Sequence, residues 1–259
     1  MSNSSLLHEL LAAQAAGDSL VLATIVKARG SVPRHAGTKM LVYADGRISG
    51  TIGGGELEQR VIAAALEMFA NPQPRLIPYA LVDPGRGDPG VCGGEMEVYM
   101  EIYQPPATVL VVGCGHVGQA VAGLAHWLGY RVIVTDDRSE LASPANIPEA
   151  DVYLPGSFGD VVPELTITAN TYVVVVTRNV QVDQKILPLL APTRAPYIGV
   201  MGSRRRWAET QRLLLEAGLP EADLVRFHSP IGLELNAEDP QEIAVSIMAE
   251  IIKFRRGTA

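Results

Sequence analysis

The residues able to do chemistry in this chain gather around glycines. In TVLVVGCGHVGQAV, residues 108–121, an apolar run leads into Gly113, Cys114, Gly115, His116, Val117 and Gly118. A strand, a G-x-G-x-x-G turn and a helix in that order suit a pyrophosphate. Gly113 permits the tight turn, Gly115 lets phosphate approach the backbone, and Gly118 lets helix and strand pack closely. N–H groups at the helix start then face the anion, and the helix dipole favours its charge. A second apolar run, residues 131–135, ends in Asp136 and Asp137. That places an acid about 20 residues beyond the glycines, where a carboxylate can accept hydrogen bonds from a ribose diol. The competing reading is a glycine turn that binds nothing, and the full strand–helix–strand–acid context argues against it.

Two further stretches add candidates. Thr51-Ile52 precedes Gly53, Gly54 and Gly55, which open a helix running through about Phe69. Consecutive glycines before a helix can expose N–H groups as a concave anion nest, whereas a plain turn needs one or two. The cluster DPGRGDPG, residues 83–90, delivers Val91, Cys92, Gly93 and Gly94 to the mouth of an alternating strand, EMEVYMEIY. A lone cysteine is more often an inert buried residue. One flanked by glycines at a loop edge is expected to be accessible. Arg29, Arg34, His35 and Lys39 lie in the loop RGSVPRHAGTKM, read either as solvated or as a basic lip beside an anion.

The elements that must position these residues follow from patterning. The spacing predicts a helix over 4–16 and strands at 20–27, 39–43, 47–49 and 95–103 around the glycine-led helix. This is a smaller α+β N-terminal domain. Gln104-Pro105-Pro106-Ala107 interrupts both regular structures and sets the expected boundary, residues 1–104 against 105–259. Beyond it, strands at 108–112, 131–135, 151–154, 172–177 and 196–201 alternate with helices at about 119–128, 183–190, 203–217 and 240–254. That alternation predicts α/β architecture: a C-terminal Rossmann-like, doubly wound parallel sheet. Ligands on such sheets bind at the carboxyl ends of strands where the strand order reverses. Thr177, Gly202 and Ser203 fall on that edge. Ser203 is a natural N-cap for a helix opening with Arg204, Arg205 and Arg206. Three cations in a first turn oppose the helix dipole, so an anion is expected there. Arg204, nearest the strand end, is the candidate, with Arg205 and Arg206 also readable as splayed into water.

Bulk composition narrows the classes. The chain has 259 residues, 47% hydrophobic and 19% charged, with a net charge of −7. An acidic balance argues against nucleic acid and anionic membranes as partners. Two cysteines, Cys92 and Cys114, give neither a disulfide framework nor a metal cluster. No Lys or Arg precedes Lys27 and no run is long enough to span a bilayer, so a cytoplasmic location is expected.

In order, GTKMLVYADGRISGTIGGGELE, VCGGEMEV, VVGCGHVGQA, YIGVMGSRRR and HSPIGLELNAEDPQEIAVSIMAEII resemble the signature blocks of the XdhC/CoxI family. These are accessory proteins of molybdenum hydroxylases of the xanthine and carbon monoxide dehydrogenase type. The resemblance covers nearly the whole chain. It implies a small N-terminal domain before a Rossmann domain. It also implies a protein that binds molybdenum cofactor (molybdopterin or its dinucleotide form), supports its sulfuration and inserts it into the apo-hydroxylase. The sulfur donor would be of the cysteine desulfurase type, and a homodimer is expected. Cys92 is the first choice for the sulfur or molybdenum contact, and Cys114 the second. Family members often carry a histidine after the strand-end threonine, where this chain has Arg178, while Asp183 keeps its place. The alternative is an NAD(P)-dependent oxidoreductase using the same fingerprint. Against it, His116, His126 and His228 have no carboxylate at a telling spacing.

Overall fold

The computed structural model describes residues 3–80 and 94–257. The chain divides into two compact units, Met1–Pro105 and Pro106–Ala259.

The first unit contains α1 (Asn3–Ala15), β1 (Leu20–Arg29), β2 (Lys39–Tyr43), β3 (Ile48–Gly50), α2 (Gly55–Ala70), β4 (Arg75–Ala80) and β5 (Glu95–Tyr103). The strands form one antiparallel sheet in the order β3-β2-β1-β5-β4. Side chains alternate across a strand, and β1 shows the consequence. Val21, Ala23 and Ile25 join Leu57, Val61, Ala65 and Met68 of α2 in one core. Leu20 and Leu22 face Leu6, Leu10 and Ala13 of α1 in another. β4 lies at the sheet edge, where a proline such as Pro78 is tolerated because no further strand needs its missing N–H.

The second unit contains β6 (Thr108–Val112), α3 (His116–Trp127), β7 (Arg131–Asp136), β8 (Val152–Pro155), α4 (Phe158–Val161), β9 (Thr171–Val175), α5 (Val180–Leu190), β10 (Tyr197–Val200), α6 (Arg204–Glu216), β11 (Phe227–His228) and α7 (Pro240–Arg256). All pairings are parallel, in the order β11-β10-β9-β6-β7-β8. Val109 and Val111 of β6 pack with α3 and α7 on one face. Leu110 and Val112 pack with residues of α4, α5 and α6 on the other. A sheet covered on both faces explains why its strands are almost wholly apolar. The α/β class and the doubly wound parallel sheet read from the sequence are what the chain adopts. The strand order reverses between β6 and β9, and that switch point is where such sheets bind ligands. Among the described residues, no helix is long and apolar enough to cross a membrane.

Candidate functional site

The glycine turn follows β6 at the switch point, and each glycine has a distinct reason. Gly113 has φ 105°, and a side chain there would stand 2.7 Å from the carbonyl oxygen of Val176, so the turn and the end of β9 touch backbone to backbone. A Cβ at Gly118 would run into the carbonyl oxygen of Gly113, which is the close helix–turn packing expected of the third glycine. Gly115 differs. It is the N-cap of α3 with φ −74°, and a Cβ there meets nothing within 4 Å. Space is open in front of it.

The start of α3, like those of α4 and α7, has no side-chain cap, whereas α5 and α6 have one. Asn179 caps α5 by accepting from the amide of Val182, and Ser203 caps α6 by accepting from the amide of Arg206. No side chain does this for α3. Its first-turn amides, including those of His116, Val117 and Gly118, have no intrahelical acceptors. They form the anion-competent end of the site. His116 is exposed and Val117 half-buried. An open groove of about 740 Å³ runs beside this turn, lined by His116, Gln119, Asn146 and residues of α7.

Both acids at the end of β7 are already engaged. Asp136, 1% exposed, accepts from the amide of Cys114 at 2.8 Å. It also accepts from Arg138 Nε at 2.9 Å and Nη2 at 3.0 Å. Its carboxylate ties the turn to the end of β7, which corrects the expectation that it stands free for a ribose. Asp137 meets Arg178 at 2.6 and 2.8 Å, and that guanidinium holds its carboxyl down to about 2.

Cys114 is fully buried, its Sγ 3.5 Å from the carbonyl oxygen of Thr135. Burial, then the charge of Asp136, pushes its thiol up to about 12. It packs in the core beneath the turn, among Val111, Val121 and Ala122. Cys92 and Gly93 lie outside the described residues. Gly94 is buried, and a Cβ there would be 2.5 Å from Ser31 O and 2.8 Å from Arg29 O, so close packing against the end of β1 accounts for that glycine.

On the other flank, Thr177 is buried and donates to Asp183, itself fully buried. Arg206 Nη2 reaches Asp183 at 2.6 Å and the Thr177 hydroxyl at 3.1 Å. Gly202 makes this possible: a Cβ there would lie 3.0 Å from Arg206 Cδ, so its absence lets the arginine fold back over the strand end. Arg206 Nε is buried with no hydrogen-bond partner, a spare donor at this edge. Arg204, the arginine chosen from sequence, is exposed, as are Arg205 and Ser203. The signal for Arg206 was its spacing, four residues after a glycine and three after the cap.

In the first unit the glycine nest exists and holds an anion of the chain's own. Gly53, Gly54 and Gly55 all have positive φ, at 139°, 80° and 66°. Glu58 Oε1 accepts from the amides of Ile52 at 3.1 Å, Gly53 at 3.3 Å and Gly54 at 2.8 Å, and from the Thr51 hydroxyl. The expectation of free donors at Gly53 and Gly54 is corrected accordingly. Three glycines are required because the backbone turns around a carboxylate.

A fully parallel sheet in this order, with a glycine turn and an uncapped helix at its switch point, defines a Rossmann-type α/β protein. Residues 109–251 match the family model described as the XdhC Rossmann domain, and residues 13–80 the one described as the XdhC and CoxI family. The chain belongs to the XdhC and CoxI family. It is 37% identical over 236 residues to an uncharacterized protein, YqeB, of Escherichia coli (strain K12), covering 90% of this chain and 43% of that one. It is 34% identical over 162 residues to a probable xanthine dehydrogenase subunit from Bacillus subtilis (strain 168), covering 62% and 47%. It thus spans less than half the length of these two relatives. A third relative, the molybdenum cofactor insertion chaperone PaoD of Escherichia coli (strain K12), is 24% identical over 274 residues, covering 92% and 84%. A crystal structure described as a xanthine dehydrogenase from Bacillus halodurans shares the fold, with a TM-score of 0.53 at 24% identity, covering 100% of this chain and 97% of that one.

Proposed function

We propose that this chain binds molybdenum cofactor as cargo, supports its sulfuration and hands it to a molybdenum hydroxylase of the xanthine or carbon monoxide dehydrogenase type. The observation that carries the reading is the uncapped start of α3, with open space before Gly115, in a member of this family. The donor set suits the phosphate end of the cofactor. Amides of the α3 first turn would hold the phosphate or diphosphate, with Arg178 as the cation able to turn to it. A relative named as a molybdenum cofactor insertion chaperone, aligned over 92% of this chain, supports the cargo.

Cys114, the thiol at the turn, is fully buried, and burial pushes it up to about 12. The sulfur-carrying role goes to Cys92, which would receive sulfur from a cysteine desulfurase-type donor. The working unit in this reading is a cytoplasmic homodimer, and residues 1–104 and 105–259 act as separate domains. Use of NAD(P) by the same turn is less well supported, because the carboxylate that would read a ribose is saturated by Arg138 and the Cys114 amide.

The test is retention. Purified protein is mixed with molybdenum cofactor, NADH and NADPH in turn, and bound pterin and nicotinamide are measured after gel filtration. Retained pterin that activates an apo-hydroxylase is the expected result. Retained nicotinamide with substrate turnover, and no pterin, would replace this reading with a dehydrogenase.

A further inference from the structure

The Arg178–Asp137 pair joins residues 41 apart in sequence, and the topology says what lies beneath it. Arg178 follows β9 and Asp137 follows β7, while β6 runs between those two strands. With neighbouring strands about 4.8 Å apart, the two side chains meet over the end of β6, where the chain is Gly113-Cys114-Gly115. A ligand lying across the switch point, one half towards β7 and the other towards β9, has to pass this bridge.

The two partners are suited to separating. Their side chains are 42% and 31% exposed, and ion pairs at such exposure are weak. The other arginines facing the turn are committed to buried carboxylates: Arg138 to Asp136 and Arg206 to Asp183, each acid 1% exposed. Arg178 is held only by a partly exposed acid. Its fork geometry, now on two carboxylate oxygens, fits two phosphate oxygens equally well.

We propose that Asp137 stands in for a ligand phosphate, and that Arg178 leaves it for the diphosphate of a nucleotide-type ligand entering the glycine turn. Arg178 is then the residue that selects diphosphate-bearing ligands over ones without it, and Asp137 competes with them. This rests on the reading of the α3 turn as the phosphate site. The sign of one substitution separates it from the ordinary Rossmann role: a carboxylate that receives a ribose is missed when removed, and one that competes with phosphate is not.

The experiment is titration calorimetry of the full chain with ADP and CDP, using adenosine and cytidine as controls. Asp137→Asn is expected to tighten ADP or CDP binding about 3–10-fold, by freeing the fraction of molecules in which the bridge is closed. Arg178→Gln weakens it about tenfold, the loss of a charge-assisted pair, and Asp137→Asn brings no gain in that background. The nucleosides bind none of these proteins measurably. Detectable binding only in Asp137→Asn would support the proposal most strongly. Diphosphate binding that is unchanged or weaker in Asp137→Asn overturns this proposal and leaves the turn as the site. No diphosphate binding by either protein overturns both.

Discussion

Arg206 and Asp183 meet at 2.6 Å, and the acid is 1% exposed, so the carboxyl edge of the parallel sheet is braced by a charge pair with little access to water. Removing one member leaves the other charged and desolvated, a loss of about 3–5 kcal/mol. Arg206→Met is expected to lower the unfolding free energy, read from urea denaturation, by that scale. The double variant Arg206→Met, Asp183→Leu recovers much of it, because the stranded charge is gone. Equal midpoints for Arg206→Met and the parent would show that Arg206 is solvated in solution.

Glu58 is the second brace. It gathers three backbone amides and the Thr51 hydroxyl at the start of α2. Glu58→Ala empties a preformed nest at a helix start and is expected to cost about 1–2 kcal/mol, the scale of a lost N-cap. The emptied nest should also acquire an anion response: added phosphate raises the melting temperature of Glu58→Ala more than that of the parent. Identical phosphate responses would mean that the nest closes when its carboxylate leaves.

Cys114 predicts an alkaline signature. Its thiol is raised from 9.0 to about 12 in the fold by burial and by Asp136. Below pH 9 both folded and unfolded chains hold the proton, so the stabilising effect is complete there. As pH rises from about 9 towards 12 the unfolded chain releases it and the folded chain does not, so stability falls across that window. Cys114→Ala should flatten the fall between pH 9 and pH 10.5 in denaturation curves. In the native parent, Cys114 stays unlabelled by iodoacetamide at pH 8 and is labelled in urea, read by peptide mass. Native labelling at Cys114 would contradict the burial.

Much of this was readable because apolar periodicity and glycine spacing report backbone geometry directly. The runs of Val and Leu in β6 and β9, the glycines of the turn and the Ser203 cap all act within a few residues of themselves. The features that escaped depend on partners far away or on very short elements. β4 carries Pro78 and survives only because it is an edge strand, β11 is two residues long, and α4 is four. Arg204 was chosen for its nearness to β10 in sequence, while the helix carries Arg206 back over Gly202. Asp136 had the right spacing for a ribose, yet Arg138, two residues on, saturates it. No local pattern announces that Asp137 and Arg178 meet across an intervening strand.

The second and third glycines of the turn should part company under mutation. Gly118→Ala places a methyl group against the carbonyl of Gly113 and should destabilise the unit by about 1–3 kcal/mol, as overpacking does. Gly115 has a φ open to any residue and clear space before it, so Gly115→Val is expected to fold, at the cost of about 1 kcal/mol for a poorer N-cap. Its branched side chain would then stand where phosphate is to approach.

Retention of pterin by the folded Gly115→Val protein is therefore the sharpest measurement. Parent and variant are incubated with molybdenum cofactor, desalted, and bound pterin is read by fluorescence after oxidation. Pterin held by the parent and lost by a variant that is fully folded at the assay temperature is expected if the α3 turn grips the cofactor's phosphate. Equal pterin on both proteins would place the cofactor elsewhere.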